Sequence, residues 1–214
     1  MSPDDRVSWD YATHPDYQII LKRKAIDVLV KLRHGEIDGM ESAADSRGIH
    51  RYLFSELTPP GCDYFAGHYR GEAFPGLQHY VSGVREDSRV GYPPAVVASH
   101  MAGVAQTVRF GLQVLDTLHQ SPDRQRSRVD RLLDTVAFAS RVFEEVLRIH
   151  PYANGNGHAA RFIVWAILGR YGYWPARFPI DPRPQGNSYY DCIVKYRNGD
   201  TQPLERYLLE CIIG

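Results

Sequence analysis

The sequence predicts a mainly α-helical fold carrying one small β-hairpin. Three observations lead there. Apolar residues recur at three-to-four spacing over most of the chain. The breaks between these runs are short and rich in glycine or proline. One stretch, residues 66–92, loses the helical period and gains five glycines, at 67, 71, 76, 83 and 91.

Taken in order, residues 17–33 read as a helix through Ile19, Ile20, Ile26, Leu29, Val30 and Leu32, and Gly35 and Gly39 are expected to close it. A shorter helix is expected from Gly48 to Leu57, ending before Pro59-Pro60. Leu77, His79, Val81 and Val84 suggest the hairpin. After Pro93-Pro94, Val96, Val97, Met101, Val104, Val108 and Leu112 mark one helix face up to about Leu118. Ser121–Ser127 is a polar break. Val129, Leu132, Leu133, Val136, Val142, Phe143, Val146 and Leu147 then mark a helix running into His150-Pro151, where the proline should end it. A loop over Ala153–Gly157 precedes an apolar helix from about His158 to Tyr171, stopped by Gly172. Prolines at 175, 179, 182 and 184 enforce an irregular stretch before two last helices, about 187–197 and 202–212.

The bulk numbers are those of a globular domain: 214 residues, 43% hydrophobic and 23% charged. Twenty-five basic residues balance twenty-five acidic ones, which gives no long-range pull toward nucleic acid or an anionic membrane. Cys62, Cys192 and Cys211 are too few and too scattered for a disulfide framework or a zinc pair. The start lacks a signal-peptide pattern, and the apolar run Phe162–Leu168 is too short to span a bilayer. A cytoplasmic protein is therefore expected.

The segment His150-Pro-Tyr-Ala-Asn-Gly-Asn-Gly-His-Ala-Ala-Arg161 concentrates the chemistry. It reads as helix, histidine, glycine-bracketed loop, helix. The second helix opens with unpaired backbone N–H groups at the positive end of its dipole. Gly155 and Gly157 let a ligand approach that backbone, which makes an anion site. Arg161 lies one turn further on and can reach phosphate oxygens. His150, at the rim, can take a proton from a hydroxyl.

HPYANGNGHAAR resembles the signature of the Fic (Fic/Doc, Fido-domain) family, with departures. The resemblance extends to Ala66-Gly67-His68-Tyr69-Arg70, Gly83 and Pro93-Pro94, similar to that family's flap hairpin. It also takes in Tyr189-Tyr190 and Arg197-Asn-Gly-Asp200 with Pro203-Leu204. It implies a Fic-type helical bundle with a small β-hairpin flap, residues 60–214 forming the Fic domain and residues 1–59 an N-terminal helical segment packed on the core.

For function, the resemblance implies transfer of AMP from ATP, or of a nucleotide from another nucleoside triphosphate, to a Ser, Thr or Tyr hydroxyl of a target protein. His150 matches the catalytic base. Gly155, Asn156, Gly157, His158 and Arg161 match phosphate-binding positions, and Leu77, His79 and Val81 match the flap that pairs with a target segment. Two departures stand out. Asn154 stands in place of the acidic residue that holds Mg²⁺, so the resemblance implies Mg²⁺ as cofactor with Asn154 a weak ligand for it, and His158 replaces an arginine. They also fit a non-catalytic nucleotide- or partner-binding regulator. A Doc-like phosphotransferase toxin is a third reading, disfavoured by Gly157. The family's inhibitory Ser/Thr-x-x-x-Glu-Gly pattern has no clean match, since Thr201-x-x-x-Glu205 is followed by Arg206, so an inhibitory partner protein is a further expectation.

Overall fold

The computed structural model describes residues 8–84, 87–122 and 124–213. Among them a 3₁₀ turn at Tyr11–Thr13 leads into α1 (Tyr17–Arg33), α2 (Gly39–Ala44) and α3 (Arg47–Phe54). A second 3₁₀ turn at Asp63–Phe65 precedes α4 (Pro94–Gln120), α5 (Arg128–Ile149), α6 (Asn156–Arg170), α7 (Asn187–Arg197) and α8 (Gln202–Ile213).

Helix α6 is the centre. Every residue from His158 to Leu168 is buried, as expected of a helix apolar on all sides. Helices α5 and α2 pack against it, α4 packs on both of those, and α8 with α7 covers the other side of α5. Helix α1 lies on α3 and touches α6.

Local chemistry sets the helix ends. Pro94 opens α4 at a position where its missing N–H costs nothing. Ser127 and Asp130 form a reciprocal capping box on α5. Helices α1 and α6 both stop in Schellman motifs. Glu36 N–H donates to Lys31 C=O (2.9 Å) behind Gly35, and Tyr173 N–H to Leu168 C=O (3.1 Å) behind Gly172.

The structure corrects three expectations. Gly39 does not close α1; it opens α2, because the Asp38 carboxylate accepts from Glu41 N–H (3.1 Å) and caps a new helix. Helix α6 begins at Asn156, so Asn156 and Gly157 belong to its first turn rather than to the loop. The expected hairpin is not formed. Residues 77–83 run as turns and coil, and the only pairing among the described residues nearby is an isolated antiparallel bridge, Val84 to Asp87; residues 85 and 86 lie outside the description. The physical reason is Arg70. Its guanidinium takes the Tyr80 and Tyr92 carbonyls (3.0 Å each), main-chain acceptors that a strand ladder would use.

No helix of the described residues is long and apolar enough to cross a membrane.

Candidate functional site

His150 ends α5 in the left-handed region, φ 56° and ψ 61°, a conformation that costs a non-glycine residue on the order of 1–3 kcal/mol. Arg70 holds it there. This fully buried side chain donates to the carbonyls of His150 (2.7 Å) and Ile149 (3.1 Å), besides those of Tyr80 and Tyr92. The cation also sits where the carbonyl end of the α5 dipole favours positive charge. The His150 ring is oriented in turn. Its Nδ1–H donates to Leu147 C=O (3.2 Å), which leaves the lone pair on Nε2. Burial pushes its pKa down to about 4, with Arg70 and Arg197 adding to the effect against the Leu147 bond.

A side-chain clip shapes the loop that follows. Asn156 Oδ1 accepts from Tyr152 N–H (2.7 Å), and Asn156 Nδ2 donates to Tyr152 C=O (2.9 Å). Tyr152 is buried, stacked on His50 at 3.7 Å, with its hydroxyl 2.8 Å from Ser46 Oγ. His50 closes the arrangement. Its Nε2–H donates to Asn154 C=O (2.9 Å) and its Nδ1 accepts from Gly67 N–H (3.0 Å), so the imidazole is neutral and joins α3, the loop and the 66–70 segment. Gly155 has φ 75°, and a Cβ there would stand 2.4 Å from the Phe54 ring. No side chain caps α6. Its first turn therefore offers the Asn156 and Gly157 amides, ahead of the first i to i−4 bond from Ala159 to Gly155.

The remaining motif residues have definite partners. Gly155 N–H donates to Asn154 Oδ1 (2.8 Å), and Asn154 Nδ2 donates to Trp9 C=O (3.1 Å). His158, 6% exposed, places Nε2 3.0 Å from Asp181 Oδ1. Burial pushes its pKa down despite that carboxylate. Arg161, 2% exposed, donates through Nε and Nη2 to Ile180 C=O (2.9 and 2.7 Å) and through Nη1 to the Tyr189 hydroxyl (3.5 Å). It makes no carboxylate ion pair among the described residues, so a buried positive charge faces the site without an anionic partner.

Two cavities meet here. One, about 690 Å³, is lined by the loop from Asn154 to His158 and by Tyr11, Lys22, Asp181 and Arg183. The other, about 840 Å³, is lined by Tyr189, Tyr190, Ile193, Val194 and the 87–90 segment. His150, Gly157, Arg161 and Arg183 belong to both walls. Arg197 closes the far side of the second cavity. It donates to Glu144 (2.7 Å) and to Asp87 (2.9 Å), tying the 87–90 segment to α5 and α7. With Arg89 and then Arg197 beside it, the Asp87 carboxyl is held well below the usual carboxylate range.

The residues do not fit a Mg²⁺ ion at Asn154. The ion favours several hard, often anionic oxygens. Here the side chain is neutral, and both ends of it are engaged with backbone. No group of three or more His, Cys, Asp or Glu residues suited to a metal occurs among the described residues.

Of the flap residues, Val81 is 82% exposed, His79 is exposed, and Leu77 is fully buried. Glu205 on α8 lines neither cavity. His50, Arg70, Asp181, Lys22 and Arg183 were not singled out from the sequence. Arg70 stands within a segment that carried the resemblance, and the other four had no local signal.

The helical core organised around α6 thus places a histidine and an uncapped helix start at the junction of two cavities. No protein-family model matches the chain. The adenylyltransferase Fic of Drosophila yakuba is 33% identical over 79 residues, 37% of this chain and 15% of that protein. That of Drosophila willistoni is 30% identical over 89 residues, 42% of this chain and 17% of that protein. The chain thus spans about 15% of the length of the Drosophila yakuba relative. Among solved structures, the BepC effector of Bartonella tribocorum with bound AMPPNP superposes with a TM-score of 0.66 at 16% identity, over 99% of this chain and 94% of that one. The chain resembles Fic adenylyltransferases in sequence over about two fifths of its length and shares the helical fold of BepC over nearly all of it.

Proposed function

We propose that the protein transfers a nucleotidyl group, AMP from ATP as first choice, onto a Ser, Thr or Tyr hydroxyl of a target protein. The observation that carries this reading is the oriented His150 imidazole at the junction of two cavities, beside the uncapped start of α6. The acceptor hydroxyl gives its proton to His150 Nε2 while its oxygen bonds to the α-phosphorus. The bond from that phosphorus to the bridging oxygen breaks, and pyrophosphate leaves. The Asn156 and Gly157 amides hold the α-phosphate oxygens, and charge developing there is stabilised by fixed dipoles. Gly155 contributes its backbone turn, since its own N–H is engaged with Asn154. Arg161, with His158 beside it, faces the outer phosphates. Tyr189 and Tyr190 line the cavity assigned to the base. The exposed rim at His79 and Val81 is assigned to the target segment, with Leu77 anchoring it from below. Residues 60–214 are taken as the Fic domain, with residues 1–59 packed on it.

A second reading, a nucleotide-binding regulator without transfer, draws on Asn154 and His158, whose side chains are engaged within the protein. One experiment separates the readings. The protein is incubated with cell lysate and ATP labelled at the α- or the γ-phosphate. Transfer from the α-position that disappears in His150→Ala supports the proposal. Label from the γ-position indicates phosphorylation, and nucleotide binding with no label in any lysate favours the regulator.

A further inference from the structure

The cavity beside the α6 N-terminus has an uneven charge balance. Three cationic side chains line it, Lys22, Arg161 and Arg183, against one carboxylate, Asp181. Asp181 is engaged with His158 at 3.0 Å. Neither Lys22 nor Arg183 forms an ion pair among the described residues. Lys22 comes from α1, far from the motif in sequence. Arg183 follows the Ile180 carbonyl that Arg161 holds, and its guanidinium stacks 4.7 Å over the Tyr190 ring. That contact keeps it at the boundary of both cavities, where a chain of phosphates leaving the α-position would pass. The residue that would carry a metal, Asn154, is neutral and bonded to Gly155 and Trp9.

We infer that Lys22 and Arg183, together with Arg161, neutralise the outer phosphates of the donor, so that polyphosphate binding at this site does not depend on a divalent cation. The inference rests on the nucleotide-donor reading above. Three cations, one buried and two on exposed side chains, face the three to four negative charges of a triphosphate, and each can make a charge-assisted contact with its oxygens.

Isothermal titration calorimetry on the whole chain tests it, with ATP, inorganic tripolyphosphate and AMP as ligands, in EDTA and in Mg²⁺. Wild-type affinity for ATP should agree within about threefold between the two conditions. Lys22→Gln and Arg183→Gln should each weaken ATP and tripolyphosphate about three- to tenfold, the effect of one charge-assisted contact, and leave AMP within about twofold. The losses should compound in the double variant and shrink as salt is raised. Loss of wild-type ATP binding in EDTA overturns the inference and leaves the donor reading standing. So does a double variant that binds tripolyphosphate as well as wild type. A wild-type protein that binds neither ATP nor AMP in either condition sinks both.

Discussion

His150 is held by four features at once: its left-handed backbone, the Arg70 bond to its carbonyl, the Leu147 bond to Nδ1 and its burial. In the proposed transfer, the last would make it a base that stays neutral. With its pKa pushed down to about 4, Nε2 is unprotonated throughout the physiological range. The profile of log kcat/KM should accordingly stay flat from pH 8 down to about pH 5, with no inflection around 6.5, in a transfer assay run from pH 4.5 to 8. An ordinary histidine inflection would show that the ring is solvated during turnover. His150→Ala should lower transfer by about 10²- to 10⁴-fold while ATP affinity changes little. Gly155 is constrained in a different way. A methyl group there meets the Phe54 ring at 2.4 Å and a backbone that disfavours L side chains. Gly155→Ala should therefore destabilise the fold by about 2–4 kcal/mol, read as a fall in Tm. Both glycine and histidine were visible in the motif. The Asn156 clip was not, because the resemblance implies only a phosphate contact at Asn156, whereas the structure uses its side chain to hold Tyr152.

At the scale of elements, the helices were legible because each apolar face repeats over several turns. Helix α5 shows this, from its capping box to the proline behind His150. Short elements were less legible. Helix α2 depends on one cap, and Gly39 alone argues for an ending as readily as for a beginning. The 66–92 segment was misread as a hairpin because its alternating residues fit strand spacing, whereas two of its carbonyls, at Tyr80 and Tyr92, are bonded to the buried Arg70 guanidinium, which also reaches across to Ile149 and His150. That makes Arg70 a positioning residue for His150. Arg70→Met removes all four carbonyl bonds and should lower Tm and kcat together. Arg70→Lys keeps the charge at the end of α5 and should recover part of kcat with KM close to wild type. A purely structural role predicts recovery of Tm in Arg70→Lys with no matching recovery of kcat.

For the whole molecule, two buried histidines, His50 and His158, and two half-buried ones, His150 and His119, link stability to pH. His50 is pushed down to about 3 and His150 to about 4, each by burial, from an ordinary 6.5, and His158 and His119 shift the same way. Below about pH 6.5 the unfolded chain takes up protons that the folded protein refuses. The stability these groups give is intact above that pH and is lost as pH falls toward their folded values. Tm should decline steadily from pH 7 to pH 4.5, and a flat profile would show that these rings protonate in place. The overall architecture was foreseeable from the resemblance, since α5, α6 and the loop between them are contiguous in sequence. The cavity walls were not, because Tyr11 and Lys22 are brought to the loop by packing over more than a hundred residues.

That packing has a practical consequence for anyone dissecting the protein. Trp9, His50 and Lys22 all precede residue 60, yet they brace the loop or wall the pocket. A recombinant fragment starting at 60 would carry the whole signature and none of these supports. Its failure to act on a client would then report a missing scaffold, and only the intact polypeptide gives an interpretable negative result.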